Sequence, residues 1–184
     1  MALSIDGTGN GTIGNLSVTT ETGNILSTAS TVAPKVPVFR AWQLDSVAQL
    51  ISSGTNTKIL FATEDFDTAS FYDPSTSRFT PTVAGYYFLT TSVRTDTPSP
   101  QATSRFDCNF YIDGSATTYG GGLMNASDKN AQCFGSALIY LDGTQYVEVY
   151  VDQNSGASVT INAVDNAGGS DSIVYFQGFL VHAT

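Results

Sequence analysis

Charge is scarce in this chain. Asp, Glu, Lys and Arg make up 12% of 184 residues, about half the share usual for a soluble domain. Seven basic residues stand against sixteen acidic ones, a formal net charge of −9. A nucleic-acid partner would therefore have to be held against repulsion, because phosphate affinity comes mainly from Lys and Arg. Histidine occurs once, as His182 near the C-terminus. Ser-His-Asp catalysis needs an imidazole beside its nucleophile. The chain also has no Gly-x-Ser-x-Gly elbow and no glycine-rich loop leading to Lys and Ser/Thr, so hydrolase and nucleotide-binding chemistry lack their motifs. Two cysteines and one histidine cannot complete a structural zinc site, which takes four ligands. No apolar run approaches the ~20 residues of a membrane helix, and no basic-then-apolar leader opens the chain. Synthesis in a cytosol without membrane insertion is the expectation. Sustained helical periodicity is missing as well.

Gly, Ser, Thr, Asn and Asp fill the space that charge leaves, and they suit short strands joined by tight turns. Residues 1–34 hold no Lys or Arg, and Gly14-Asn15-Leu16 is echoed by Gly23-Asn24-Ile25. Their apolar residues, Ile13, Leu16, Val18, Ile25 and Leu26, are too sparse to bury a core. Residues 1–35 are read as an extended N-terminal arm for anchoring or assembly, ordered only where sister copies or a larger assembly hold it. Residues 36–184 are read as one domain. Strands are predicted from Val36 to Trp42, Lys58 to Phe61, Ala84 to Val93, Arg105 to Ile112, Cys133 to Leu141, Gln145 to Val151, Ser158 to Ala163 and Ile173 to His182. Asp113-Gly114 and Asp142-Gly143 read as hairpin turns between alternating runs. The pattern predicts an all-β sandwich or barrel. Cys108 and Cys133 fall in separate strands, either as two buried thiols or as a cross-strand or inter-sheet disulfide.

From Val38 onward the strand string resembles the C1q-like domain, the jelly roll shared with the tumour-necrosis-factor superfamily. Val38-Phe39-Arg40-Ala41 stands where that family opens with Ala-Phe-x-Ala. Ile59-Leu60-Phe61 and Tyr72-Asp73 follow in the family's order. Phe79-Thr80-Pro81…Gly85-Tyr86-Tyr87-Phe88-Leu89 is similar to its Phe-Thr-x-Pro…Gly-x-Tyr-x-Phe segment, with Ser77 in place of a glycine and Pro81 one residue early. Phe110-Tyr111-Ile112-Asp113-Gly114, the strand from Gly135 to Gly143, and Phe176-Gln177-Gly178-Phe179-Leu180 complete the match, though Thr144 sits where Asp is usual. The resemblance implies a jelly-roll β-sandwich that assembles as a homotrimer with aromatic strands at its centre.

Alternation supplies an independent reason for self-association. Phe176, Gly178 and Leu180 oppose Tyr175, Phe179 and Val181, and Tyr87 and Leu89 oppose Tyr86 and Phe88. Both faces are apolar and one sandwich interior can absorb only one of them, so the second calls for another copy of the chain. Tyr86, Phe88, Tyr175 and Phe179 are the expected trimer-face residues.

Two acidic groups, Glu64-Asp65-Phe66-Asp67 and Asp165…Asp171, are read as loops. Either they solubilise loop tips or Asp65, Asp67, Asp165 and Asp171 serve as calcium ligands, since hard oxygen donors suit that ion. No other cofactor is expected. A glycosidase would need two carboxylates about 5–10 Å apart across a cleft, a distance that spacing does not encode. Tyr119, read in a loop beside Gly120-Gly121-Gly122, is the candidate for stacking on a glycan, against the plainer reading of a loosened turn. The Gly/Thr/Asn-rich arm resembles those of bacteriophage virion proteins, and with the C1q-like resemblance it implies a non-enzymatic virion-surface protein, a trimeric capsid decoration (cement) protein. In this reading the arm contacts the major capsid protein or another virion protein through Ile13, Leu16, Ile25 and Leu26, and the knob projects toward host-surface glycans. The alternatives are the receptor-binding tip of a tail fibre or tailspike, or a non-viral soluble C1q-like ligand-binding module.

Overall fold

The computed structural model describes residues 36–43, 48–98, 105–121, 123–124, 130–161 and 173–184. The arm contacts Ile13, Leu16, Ile25 and Leu26, and the acids Asp165 and Asp171, lie outside the described residues. The described elements are strands: β1 Val38–Trp42, β2 Gln49–Ile51, β3 Thr57–Lys58, β4 Thr63–Asp67, β5 Tyr72–Asp73, β6 Arg78–Phe79 and β7 Gly85–Pro98. They continue with β8 Phe106–Ile112, β9 Ser115–Gly121, β10 Leu123–Met124, β11 Asn130–Leu141, β12 Val147–Gln153, β13 Val159–Ile161 and β14 Tyr175–Ala183.

Two antiparallel sheets form. The first runs β10-β11-β7-β14-β1-β4, with β13 joining β7 and β2; the second runs β5-β6-β12-β8-β9, with β3 on β12. The chain crosses between sheets from β6 to β7, from β7 to β8, from β9 to β10, from β11 to β12 and from β12 to β13. This is the jelly-roll pattern. Period-two alternation drives it: β12 turns Val147, Val149 and Val151 into the sandwich, and β8 does the same with Phe106, Cys108 and Phe110. The first sheet answers with Phe39, Tyr87, Leu89, Val93, Ile139, Leu141 and Phe176. Phe39 stacks on Phe79 at 4.3 Å and on Tyr72 at 5.3 Å and meets Phe176 edge-on at 5.0 Å, so one ring couples both sheets. Tyr72 donates its hydroxyl to the Phe61 carbonyl at 2.7 Å, and burial pushes its phenol far above the ordinary tyrosine range.

Several sequence expectations need correction. Residues 64–67 are not a loop but the body of edge strand β4, paired with β1 across a bulge at Arg40/Ala41. Charge and lack of alternation disguise the strand, yet charged residues are common on edges because they discourage further pairing. Tyr119 likewise lies within β9, not in a loop, since Gly120 and Gly121 pair with Asn109 and Cys108. A Cβ on Gly120 would lie 3.2 Å from the Asn109 Cα, so these glycines permit close backbone approach rather than loosening a turn. The long strand runs past Val93 to Pro98, because its polar end is paired with β11 and β13. The expected strand at Lys58–Phe61 shrinks to Thr57–Lys58.

The two Asp-Gly signals divide. Asp113 and Gly114, with φ of 50° and 74°, make the two-residue hairpin between β8 and β9. Asp142-Gly143 turns the chain as well, but it carries β11 into β12 on the opposite sheet and is not a hairpin. There the Asp142 carboxylate accepts from the Thr144 amide and hydroxyl, both at 2.8 Å. Ser77, which stands where the resembled family has glycine, takes a left-handed conformation with φ of 51°. Its buried hydroxyl accepts from the Phe61 amide at 2.9 Å, which offsets the strain.

Candidate interaction face

The outer face of the first sheet is organised by register into rows. Tyr140 lies beside Tyr86, with ring centroids 5.4 Å apart. In the next row Leu138 pairs with Phe88, Phe88 with Phe179 at 5.8 Å, and Phe179 with Val38. A polar row follows, Ser136, Thr90, Gln177 and Arg40. Beyond it lie Phe134, Ser92, Tyr175 and Trp42. Tyr86, Phe88, Leu138, Tyr140, Phe179 and Val181 are each between 36% and 53% exposed, far more than the inward residues of the same strands. Phe66 of β4 is exposed at the margin, and Val38, Phe66, Phe88, Thr90, Gln177 and Phe179 line a shallow groove. Six large apolar side chains clustered on one open sheet face are unusual for an isolated domain, where such residues are mostly scattered.

Tyr86, Phe88 and Phe179 of the expected trimer-face set therefore share one patch. Tyr175 lies on the same face two rows away from Phe179, half-buried, with the Arg40 guanidinium over its ring at 5.3 Å. Sequence reading missed Leu138, Tyr140, Phe134 and Phe66. For the three β11 residues the signal was present: Phe134, Leu138 and Tyr140 alternate with the buried Cys133, Ile139 and Leu141.

The outer face of the second sheet is built differently. Glu148, on β12, is 2% exposed, and its Oε1 accepts from Lys58 Nζ at 2.5 Å and Arg78 Nε at 2.8 Å. Arg78 also lies over the Tyr146 ring at 4.1 Å, and Tyr111 stacks on Tyr150 at 3.9 Å. Burial pushes the Glu148 carboxyl up, but hydrogen bonds and charge from Lys58 and Arg78 outweigh it and hold it below the ordinary 4.5. A folded value below the unfolded one means that this stabilisation is complete above about pH 4.5 and fades as pH falls through the folded value. Glu148→Gln is expected to lower stability by about 2 kcal/mol at pH 7, a figure reduced for the solvent that reaches both cations. Urea unfolding at pH 7 and pH 3 checks this: the gap between wild type and variant should narrow in acid.

The acidic candidates are occupied locally. Asp67 accepts from the amides of Ala69 at 3.0 Å and Tyr72 at 2.6 Å, and Asp65 lies 3.9 Å from Arg40. No group of three metal-ligating side chains occurs among the described residues. Tyr119 is 44% exposed on β9, whose Thr118, Gly120 and Gly121 border a polar hollow with Asp107 and Asn109. His182 is exposed near the end of β14, in register with Tyr86. Both cysteines are buried and free.

Two antiparallel sheets joined by these crossings define a C1q/TNF-like jelly roll, and solved structures agree. The globular domain of zebrafish complement 1qA aligns over 82% of this chain and all of its own, with a TM-score of 0.55 and 14% identity. The Eiger TNF of S. frugiperda aligns over 81% of this chain and 94% of its own at TM-score 0.53 and 10% identity. Murine APRIL covers 79% and 98% at TM-score 0.52 and 12% identity. No protein-family profile matches the sequence, and no curated protein sequence does. Identity this low speaks for the shared fold.

Proposed function

We propose that the chain is a non-catalytic module that assembles as a homotrimer through the outer face of its first sheet and is displayed on a larger assembly. The contiguous patch of Tyr86, Phe88, Leu138, Tyr140 and Phe179 carries this reading. A second copy covers such a face with matching chemistry, and a closed ring leaves no patch exposed. The trimer is also what the resemblance to C1q-like domains implies. The finer reading is a bacteriophage capsid decoration protein, with residues 1–35 docking on the shell and Tyr119 facing host glycans. It is supported by an arm whose first 34 residues hold no Lys or Arg and have a Gly-Asn-Leu…Gly-Asn-Ile texture. The fold suits a tail-fibre tip or a non-viral ligand-binding module equally well.

Light scattering on the full chain and on a version starting at Val36 tests the trimer, and co-sedimentation of both with purified virions tests the arm. Two trimers are expected, with only the full chain sedimenting. A monomeric truncated form would remove self-contact from the patch. Equal failure of both forms to sediment would remove the virion reading and leave the trimer standing.

A further inference from the structure

The two cysteines are placed by register at one corner of the sandwich. Cys108 of β8, in the second sheet, pairs with Gly121 of β9; Cys133 of β11, in the first sheet, pairs with Leu123 of β10. Their partners are thus two residues apart on the segment that passes from one sheet to the other. Both side chains are fully buried between the sheets. A Cβ on Gly135, the inward position next to Cys133, would lie 3.4 Å from Cys108 Sγ, so this thiol points directly at β11. Cys108 donates its thiol to the Gly121 carbonyl at 3.8 Å and lies close enough to Cys133 to push that thiol's pKa up. Phe110 and Gly135 close the space around the Cys108 sulfur.

We propose that Cys108 and Cys133 form an oxidisable pair, an inter-sheet disulfide site that clamps the two sheets where β9 passes to β10. With a glutathione disulfide as oxidant, one cysteine thiolate attacks its S–S bond and releases one glutathione thiolate. The second cysteine, losing its proton, attacks the protein sulfur of the mixed disulfide and displaces the other glutathione. Two protein S–H bonds are lost, one S–S bond forms, and one glutathione disulfide becomes two thiols. Burial pushes the Cys133 thiol well above its ordinary range, with the Cys108 contact adding to the shift. Exchange therefore proceeds through opening of the corner and is slow in the closed domain.

The test equilibrates the full chain with glutathione disulfide in urea near its unfolding midpoint, followed by dilution and removal of the reagent. The expected product has no free thiol, a peptide linking Cys108 to Cys133, and a Tm raised by roughly 5–10 °C that dithiothreitol reverses. A parallel sample of Cys133→Ala, or of Cys108→Ala where the first does not fold, should show no such gain. Two free thiols, a persistent glutathione adduct, a linked form that melts no higher, or an equal gain in the alanine variant would each overturn the proposal.

Discussion

Phe88→Glu combined with Phe179→Glu is expected to convert the proposed trimer into a folded monomer. The two rings face each other across β7 and β14 at 5.8 Å and occupy the centre of the apolar rows. In the isolated domain they are 36% and 44% exposed, so carboxylates at these positions stay in water and the β-sandwich keeps its core. In the assembled state each new carboxylate would be buried against an apolar neighbour without a partner. That costs several kcal/mol, and each ~1.4 kcal/mol is a factor of ten in an equilibrium constant. Dissociation should rise by roughly three orders of magnitude or more. Sedimentation at micromolar concentration should report one protomer, with far-UV circular dichroism unchanged. A variant that stays trimeric with both carboxylates in place would show that the copies meet elsewhere.

Phe39→Ala is expected to lower the stability of the domain by about 4 kcal/mol, among the largest losses for a single core substitution. Phe39 is 1% exposed and touches Phe79 and Tyr72 of the second sheet as well as Phe176 of its own. Its removal leaves a cavity between three aromatic neighbours, whose backbones are fixed by strand pairing and cannot collapse onto it. Urea denaturation at pH 7 measures the loss. A cost below about 1.5 kcal/mol would mean that the sheets close over the gap. The neighbouring glycine shows the opposite constraint: a Cβ on Gly178 would run into the Leu89 side chain and lie 2.8 Å from the Phe88 carbonyl oxygen. The aromatic core is therefore built on a backbone contact that only glycine permits.

Much of this architecture was legible because alternation leaves a local trace. β8 and β12 carry apolar residues at every second position, and the Asp113-Gly114 hairpin has the turn residues that its geometry demands. The strands that escaped notice lack that trace. β4 reads Thr-Glu-Asp-Phe-Asp and is held by pairing with β1, while β9 reads Ser-Ala-Thr-Thr-Tyr-Gly-Gly and is held by β8. Their strand character comes from a neighbour's hydrogen bonds, not from their own side chains. For the interaction face, Tyr86, Phe88 and Phe179 were readable from two strands; β11 carries the same alternation, but only its pairing with β7 puts Leu138 and Tyr140 beside them.

The sequence by itself determined that the chain is all-β from Val38 onward, which residues alternate, and that two apolar faces exist where one core can use only one. Tertiary structure decided the rest. It placed Asp142-Gly143 at a crossing between sheets, brought Lys58 and Arg78 to the same oxygen of Glu148, and set Cys108 against Cys133. It also set Tyr175 opposite Ser92, two rows from Phe88, with Arg40 packed on its ring. The physical reason is common to all four. Side-chain period is a local property of a strand, but partner, register and facing are fixed by contacts between segments far apart in the chain, where a shift of one residue exchanges inside for outside.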